Sequence, residues 1–183
     1  MRLPQMREVE NPPTVDEVLK QVDETGVFVV DIEHDPEKEF SKPGFELAGV
    51  GIGTGLEFAY LTDINLAHDI LTKVIDTPVT SQGKDVEVVA FNGKYDFKCL
   101  KKLNLIKKYP THFRDPMVGV NLLDDNRRPA ELGLKVIVED FYGYKMTVFK
   151  DASSGGLKTK KFYEYGVDDA YIVTGKQIGR AHV

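Results

Sequence analysis

The feature that constrains this chain most is the segment 27–32, VFVVDI, a continuous apolar run that ends in carboxylates, Asp31 and then Glu33. A run without polar alternation offers no face to water, so it reads as a central strand covered on both sides, with its polar residues emerging at one end. Such a strand needs neighbours along both edges and helices above and below. With 183 residues, 42% of them hydrophobic, the chain can supply that cover within one domain.

The rest of the pattern provides the parts. Residues 1–13, ending Asn11-Pro12-Pro13, read as a flexible lead-in. Thr14 and Glu17 form a capping box for a short helix to about Glu24, stopped by Gly26. Segments 47–52 and 56–61 flank Gly53-Thr54-Gly55 as a hairpin, and Asn65 reads as the cap of a helix with Leu66, Ile70, Leu71 and Val74 on one face. Segment 86–91 is a fourth buried strand, and Asn92-Gly93 turns it into a helix carrying Cys99, Leu100 and Leu103 inward. Asp115-Pro116 starts another helix, 131–141 forms a further one ended near Gly143, and a last helix spans about 161–174. Before it lies a flexible basic loop, Ser153-Ser154-Gly155-Gly156 followed by Lys158, Lys160 and Lys161. The expected fold class is α/β: a mixed central sheet of about five strands, one antiparallel, with helices on both faces.

Composition narrows the function. The only cysteine, Cys99, allows no intramolecular disulfide and no cysteine-based zinc site, and His34, His68, His112 and His182 fall at no metal-ligand spacing. A reducing, cytoplasmic setting fits this usage, and the sequence holds neither a signal peptide nor an apolar stretch long enough to span a membrane. A net charge of −5 argues against broad basic contact with nucleic acid. If the chain acts on a polyanion, metal ions and a few local lysines must offset both charges.

Three acidic elements stand out. Asp31-Ile-Glu33 places two carboxylates on one face of a strand end, roughly 6.5–7 Å apart, a span that one or two cations can bridge. The D-x-E pattern also occurs at Asp35/Glu37 and Asp85/Glu87, but Asp31/Glu33 alone ends a buried strand. Asn92-Gly-Lys-Tyr-Asp96 follows the fourth strand directly, where ligands gather in open α/β sheets; an acid favoured by the helix dipole would look the same. Tyr165-Gly-Val-Asp-Asp169 puts a phenol and a carboxylate one turn apart on the last helix. No catalytic serine triad, glycine-rich phosphate loop or redox cysteine pair is present.

In that order, FVVDIEHD, VVAFNGKYDFKCL and YGVDDAYIV resemble the three exonuclease motifs of the proofreading domains of family A DNA polymerases, the DEDDy class. The resemblance extends through FRDPMVGVNLLD, Asn126-Arg-Arg and GLK to FYGY, and covers about 27–174. It implies a ribonuclease H-like fold, a 3′-5′ exonuclease domain over 14–176, and removal of nucleotides from DNA 3′ ends with two divalent metals. Asparagine and Lys-Tyr-Asp in the second motif favour these enzymes over RNase D-like relatives, and the histidine-type exonucleases carry His in place of Tyr165. By motif match, Asp31 bridges both metals, Glu33 and Asp169 hold the ion that binds the attacking water, Asp96 serves the other, and Asn92 supports the substrate.

Four carboxylates without sulfur or imidazole form a hard oxygen site, which selects Mg²⁺ or Mn²⁺. Tyr165, with a reference pKa near 10, stays protonated and orients the water. The expected substrate is a single-stranded DNA 3′ end and the products nucleoside 5′-monophosphates, with a polymerase domain as partner in cis or in trans. An inactive DNA-binding module and RNA 3′-end trimming are the alternatives. Of the basic clusters, Lys101/Lys102, Lys107/Lys108 and Arg127/Arg128 read as solvated helix faces, and the 158–161 loop as the one that steers the strand. The tail 177–183, QIGRAHV, reads as one frame of a common short-read sequencing adapter, so it is expected to be non-native, and resequencing the source DNA tests this.

Overall fold

The structure, a computed structural model, describes residues 5–8, 10–35, 37–38, 40–41, 43–124 and 127–173; the tail 177–183 lies outside them. Its strands are β1 (Gln5–Met6), β2 (Val27–His34), β3 (Leu47–Gly53), β4 (Glu57–Leu61), β5 (Glu87–Val89) and β6 (Phe113–Arg114). They form one sheet in the order β1-β4-β3-β2-β5-β6. The helices are α1 (Val15–Thr25), α2 (Ile64–Ile75), α3 (Gly93–Lys102), α4 (Pro116–Leu123), α5 (Leu134–Tyr142), α6 (Phe149–Ala152) and α7 (Lys160–Val173).

The α/β class and the mixed sheet are as expected, with β3 running against all five other strands. Among the described residues the sheet holds six strands, in line with the expected five or so, with a two-residue strand at each edge. One of these, β1, comes from the lead-in: it pairs with β4, and next to it the Arg7 guanidinium binds Glu57 on β4 at 2.6 Å and Glu17 on α1 at 3.1 Å.

Alternation along β2 divides the molecule into two layers. Phe28, Val30 and Ile32 point into the larger core with Val50, Ile52 and the inner faces of α1, α2 and α3. Val29 points the other way, with Val89, Phe58 and Tyr60, toward Phe162, Tyr165, Val167 and Ala170 of α7. Asp31 and Glu33 share the parity of Val29, so they emerge on the α7 side.

Local signals explain most boundaries. Thr14 and Glu17 form the expected capping box, and Gly26 ends α1 at φ +68°, where a side chain would be strained. The cap of α2 is Asp63 rather than Asn65: its carboxylate accepts from the Asn65 and Leu66 amides at 2.9 and 3.3 Å, so Asn65 is itself a capped residue. Leu103 sits at the end of α3, half-buried rather than fully inward. The single helix expected over 131–141 is interrupted. A 3₁₀ turn spans Pro129–Glu131, and α5 begins after Gly133, whose extended backbone (ψ 140°) breaks the run. The basic loop is partly helical, with α6 leading into a 3₁₀ turn at Ser153–Gly155.

Candidate active site

The site forms where β2 ends beneath α7. Two residues of β2 and one of α7, far apart in sequence, bring Asp31, Glu33 and Asp169 together, each with a carboxylate oxygen within 4.8 Å of the others. Helix α7 can lie this close because β3 presents glycine to it. A Cβ on Gly51, the register partner of Asp31, would stand 2.9 Å from the Gly166 carbonyl oxygen and 3.1 Å from the Ala170 methyl.

The acids open into a cleft of about 410 Å³, also lined by Tyr165, Asn92, Phe91, Met117, Leu132 and Leu134. Asn92 occupies the left-handed conformation (φ +55°) at the turn from β5 into α3, so its exposed amide faces the cleft instead of capping the helix. The Asp115 carboxylate fixes this corner, accepting from the backbone N–H groups of Asn92 and Met117, both at 3.0 Å.

Asp96 stands outside the three-acid cluster. It is buried in the first turn of α3, and its Oδ2 is shut off from solvent without a hydrogen-bond partner. Of the sequence-predicted residues, the structure therefore gathers Asp31, Glu33, Asn92, Tyr165 and Asp169 around the cleft, with Asp96 adjacent only through its charge.

Electrostatics show what the site needs. Burial, then the charge of Asp169, lifts Asp31 to about 7 against the pull of Lys135. Burial, with Asp31 and Asp169, lifts Glu33 to about 10. Burial, Asp31 and Asp115 push Asp96 well above the carboxylate range, and burial raises Asp169. Three clustered acids that resist ionising, Asp31, Glu33 and Asp169, form a donor set suited to hard divalent cations, with the orphaned oxygen of Asp96 outside the cluster. Burial and the charges of Glu33 and Asp169 drive the Tyr165 phenol upward, so it stays protonated.

Sequence reasoning missed Lys135. Its ammonium contacts both Asp169 oxygens at 3.0 Å and lies 4.5 Å from the centre of the Tyr165 ring. A signal was present: a lysine in the first turn of a helix opposes the helix dipole, so a compensating anion should sit nearby. The Arg127/Arg128 pair is engaged internally, Arg127 with Asp124 and Asp140 and Arg128 with Glu131.

This sheet order, with acids at the end of its central strand facing the last helix, defines a ribonuclease H-like nuclease fold, and solved structures of that class are similar. RNase D of Trypanosoma brucei in complex with U12 RNA superposes with TM-score 0.69 at 13% identity, over 93% of this chain and 60% of that one. Escherichia coli RNase D, an exoribonuclease involved in structured RNA processing, gives 0.63 at 18% identity over 97% and 44%. The EXO domain of Aedes aegypti Nibbler gives 0.64 at 13% identity over 92% and 86%. The chain thus spans less than two thirds of either RNase D. No curated protein sequence matches significantly. The family is nonetheless clear: a 3′-5′ exonuclease family model matches residues 6–174, and the chain belongs to that family. Among the described residues, no helix is long and apolar enough to cross a membrane.

Proposed function

We propose that the chain is a two-metal 3′-5′ exodeoxyribonuclease that removes nucleoside 5′-monophosphates from single-stranded DNA 3′ ends. The observation that carries this reading is the meeting of Asp31, Glu33 and Asp169 beside a protonated Tyr165 at an open cleft. Mg²⁺ or Mn²⁺ held by Asp31, Glu33 and Asp169, with Asp96 alongside, would supply an activated water and neutralise charge on the leaving oxygen. Because the metal would lower the pKa of that water, no strong protein base would be required, and the protonated Tyr165 hydroxyl would orient it. Asn92 offers an amide to the terminal nucleotide, and Phe91, Met117, Leu132 and Leu134 form an apolar wall for its base. The likeness of the Asn92-to-Asp96 motif to polymerase proofreading domains favours DNA as substrate, and with it proofreading beside a polymerase domain in cis or in trans. The catalytic unit spans 14–176 and works in the cytoplasm, where the buried, unpaired Cys99 is at home.

The test is incubation of 5′-labelled single-stranded DNA and RNA with the protein in Mg²⁺ or Mn²⁺, beside Asp31→Ala. A DNA ladder that the variant fails to make supports the reading. An RNA ladder alone converts it to RNA 3′-end trimming, and no ladder at all to an inactive binding module.

A further inference from the structure

Tyr60, on β4, is 1% exposed, and its hydroxyl is excluded from solvent without a hydrogen-bond partner. A slot built from two glycines holds its ring. A Cβ on Gly49 would lie 2.4 Å from the ring Cζ and 2.5 Å from the hydroxyl oxygen, and a Cβ on Gly166 2.4 Å from Cδ2. Tyr163 stacks on the ring with centroids 5.6 Å apart, and Phe162 meets it edge-on at 6.2 Å. Among the described residues, none of these walls hydrogen-bonds the hydroxyl.

Tyr60 pairs in register with Gly51, the partner of Asp31, but its ring leans along the sheet over Gly49, the partner of Glu33. Asp31 and Glu33 project from the same face, and the charges of both reach the phenol. Two residues earlier, Phe58 stays over its own register partner, Gly53, whose β2 neighbour is Val29, whereas Tyr60 leans one pair further along the sheet, to the partner of Glu33. Where the neighbour is apolar the ring carries no hydroxyl; where it is Glu33, a tyrosine bears a buried hydroxyl that packing alone does not require.

We propose that Tyr60 is a positioning residue for Glu33: its hydroxyl donates to the Glu33 carboxylate when that acid is ionised by a bound divalent cation, fixing the orientation of the oxygen presented to the ion. The inference rests on the metal-dependent reading above. It predicts opposite effects of one atom on two measurements, because the hydroxyl is unsatisfied without the cation and satisfied with it.

The experiment compares wild type with Tyr60→Phe, which keeps the ring that fills the slot. Mn²⁺ binding is measured by titration calorimetry and melting temperature in EDTA. The expected result is about tenfold weaker Mn²⁺ binding by the variant, with a melting temperature in EDTA equal to or above that of wild type. Equal Mn²⁺ affinity overturns the proposal. So does weaker binding accompanied by a lower melting temperature in EDTA, which would make the hydroxyl a packing element. If wild type itself fails to bind Mn²⁺ at millimolar concentration, the metal-dependent reading falls first and the role of Tyr60 with it.

Discussion

Asp31 and Lys135 show how a single side chain sets the balance of this site. Asp31 is held near 7 by burial and by Asp169, so its charge works against the fold and in favour of a cation. Asp31→Asn keeps the shape and removes that charge. Its turnover should fall roughly 1,000-fold or more, the scale of several kcal/mol of lost transition-state stabilisation, while its melting temperature in EDTA at pH 8 rises by a few degrees; gel-based turnover and calorimetry check the two halves. Lys135 does the reverse. Lys135→Met strips both 3.0 Å contacts from Asp169 and should cost about 1–3 kcal/mol in EDTA at neutral pH. That loss should fade in acid as the Asp169 carboxyl, which burial raises, takes up its proton, and urea titrations at neutral and at acid pH would reveal it. Asp31, Glu33 and Asp169 were legible in the sequence because spacing and strand ends are local properties. Lys135 left a local signal, its place in the first turn of α5, but its partner Asp169 and the slot around Tyr60 were not legible, since each contact joins residues far apart in sequence.

At the scale of elements, the site depends on how closely α7 approaches β3. Gly51→Ala would set a methyl 2.9 Å from the Gly166 carbonyl oxygen, and backbone rather than a flexible side chain must yield. The helix that carries Tyr165 and Asp169 should shift by a few tenths of an ångström. We expect kcat to drop roughly 10- to 100-fold at saturating Mn²⁺ while far-ultraviolet circular dichroism remains that of wild type; full activity would show that α7 tolerates the shift. The break before α5 matters in the same way. Periodicity suggested one helix over 131–141, but the extended backbone at Gly133 restarts it, so that Leu132 and Leu134 reach the cleft and Lys135 the acid. Hydrophobic period alone could not show the interruption, because both halves keep an apolar face.

For the whole molecule, the acid cluster couples stability to pH and to metal. Asp31 and Glu33 have folded-state values of about 7 and about 10, above their ordinary range, so between about pH 4 and those values the folded chain binds more protons than the unfolded one. Stability in EDTA should therefore decline as pH rises through that window. Mn²⁺ at 100 times its dissociation constant should add about 2.7 kcal/mol, roughly 5–10 °C for a chain of this size, and flatten the decline. Melting curves from pH 5 to 9, with EDTA and with Mn²⁺, check both; a profile indifferent to metal would contradict the site.

The pattern of residues along the chain was enough for the layered α/β architecture, the strand that ends in Asp31 and Glu33, the caps of α1 and α4, and the order of the three acidic motifs. These rest on period, capping and burial, which act over a few neighbours. Contacts across the sheet set the remainder. The register that places Gly51 beside Asp31, the closeness of α7, the salt bridge from Lys135 and the slot around Tyr60 each depend on atoms brought together from distant segments, and no local propensity encodes such distances.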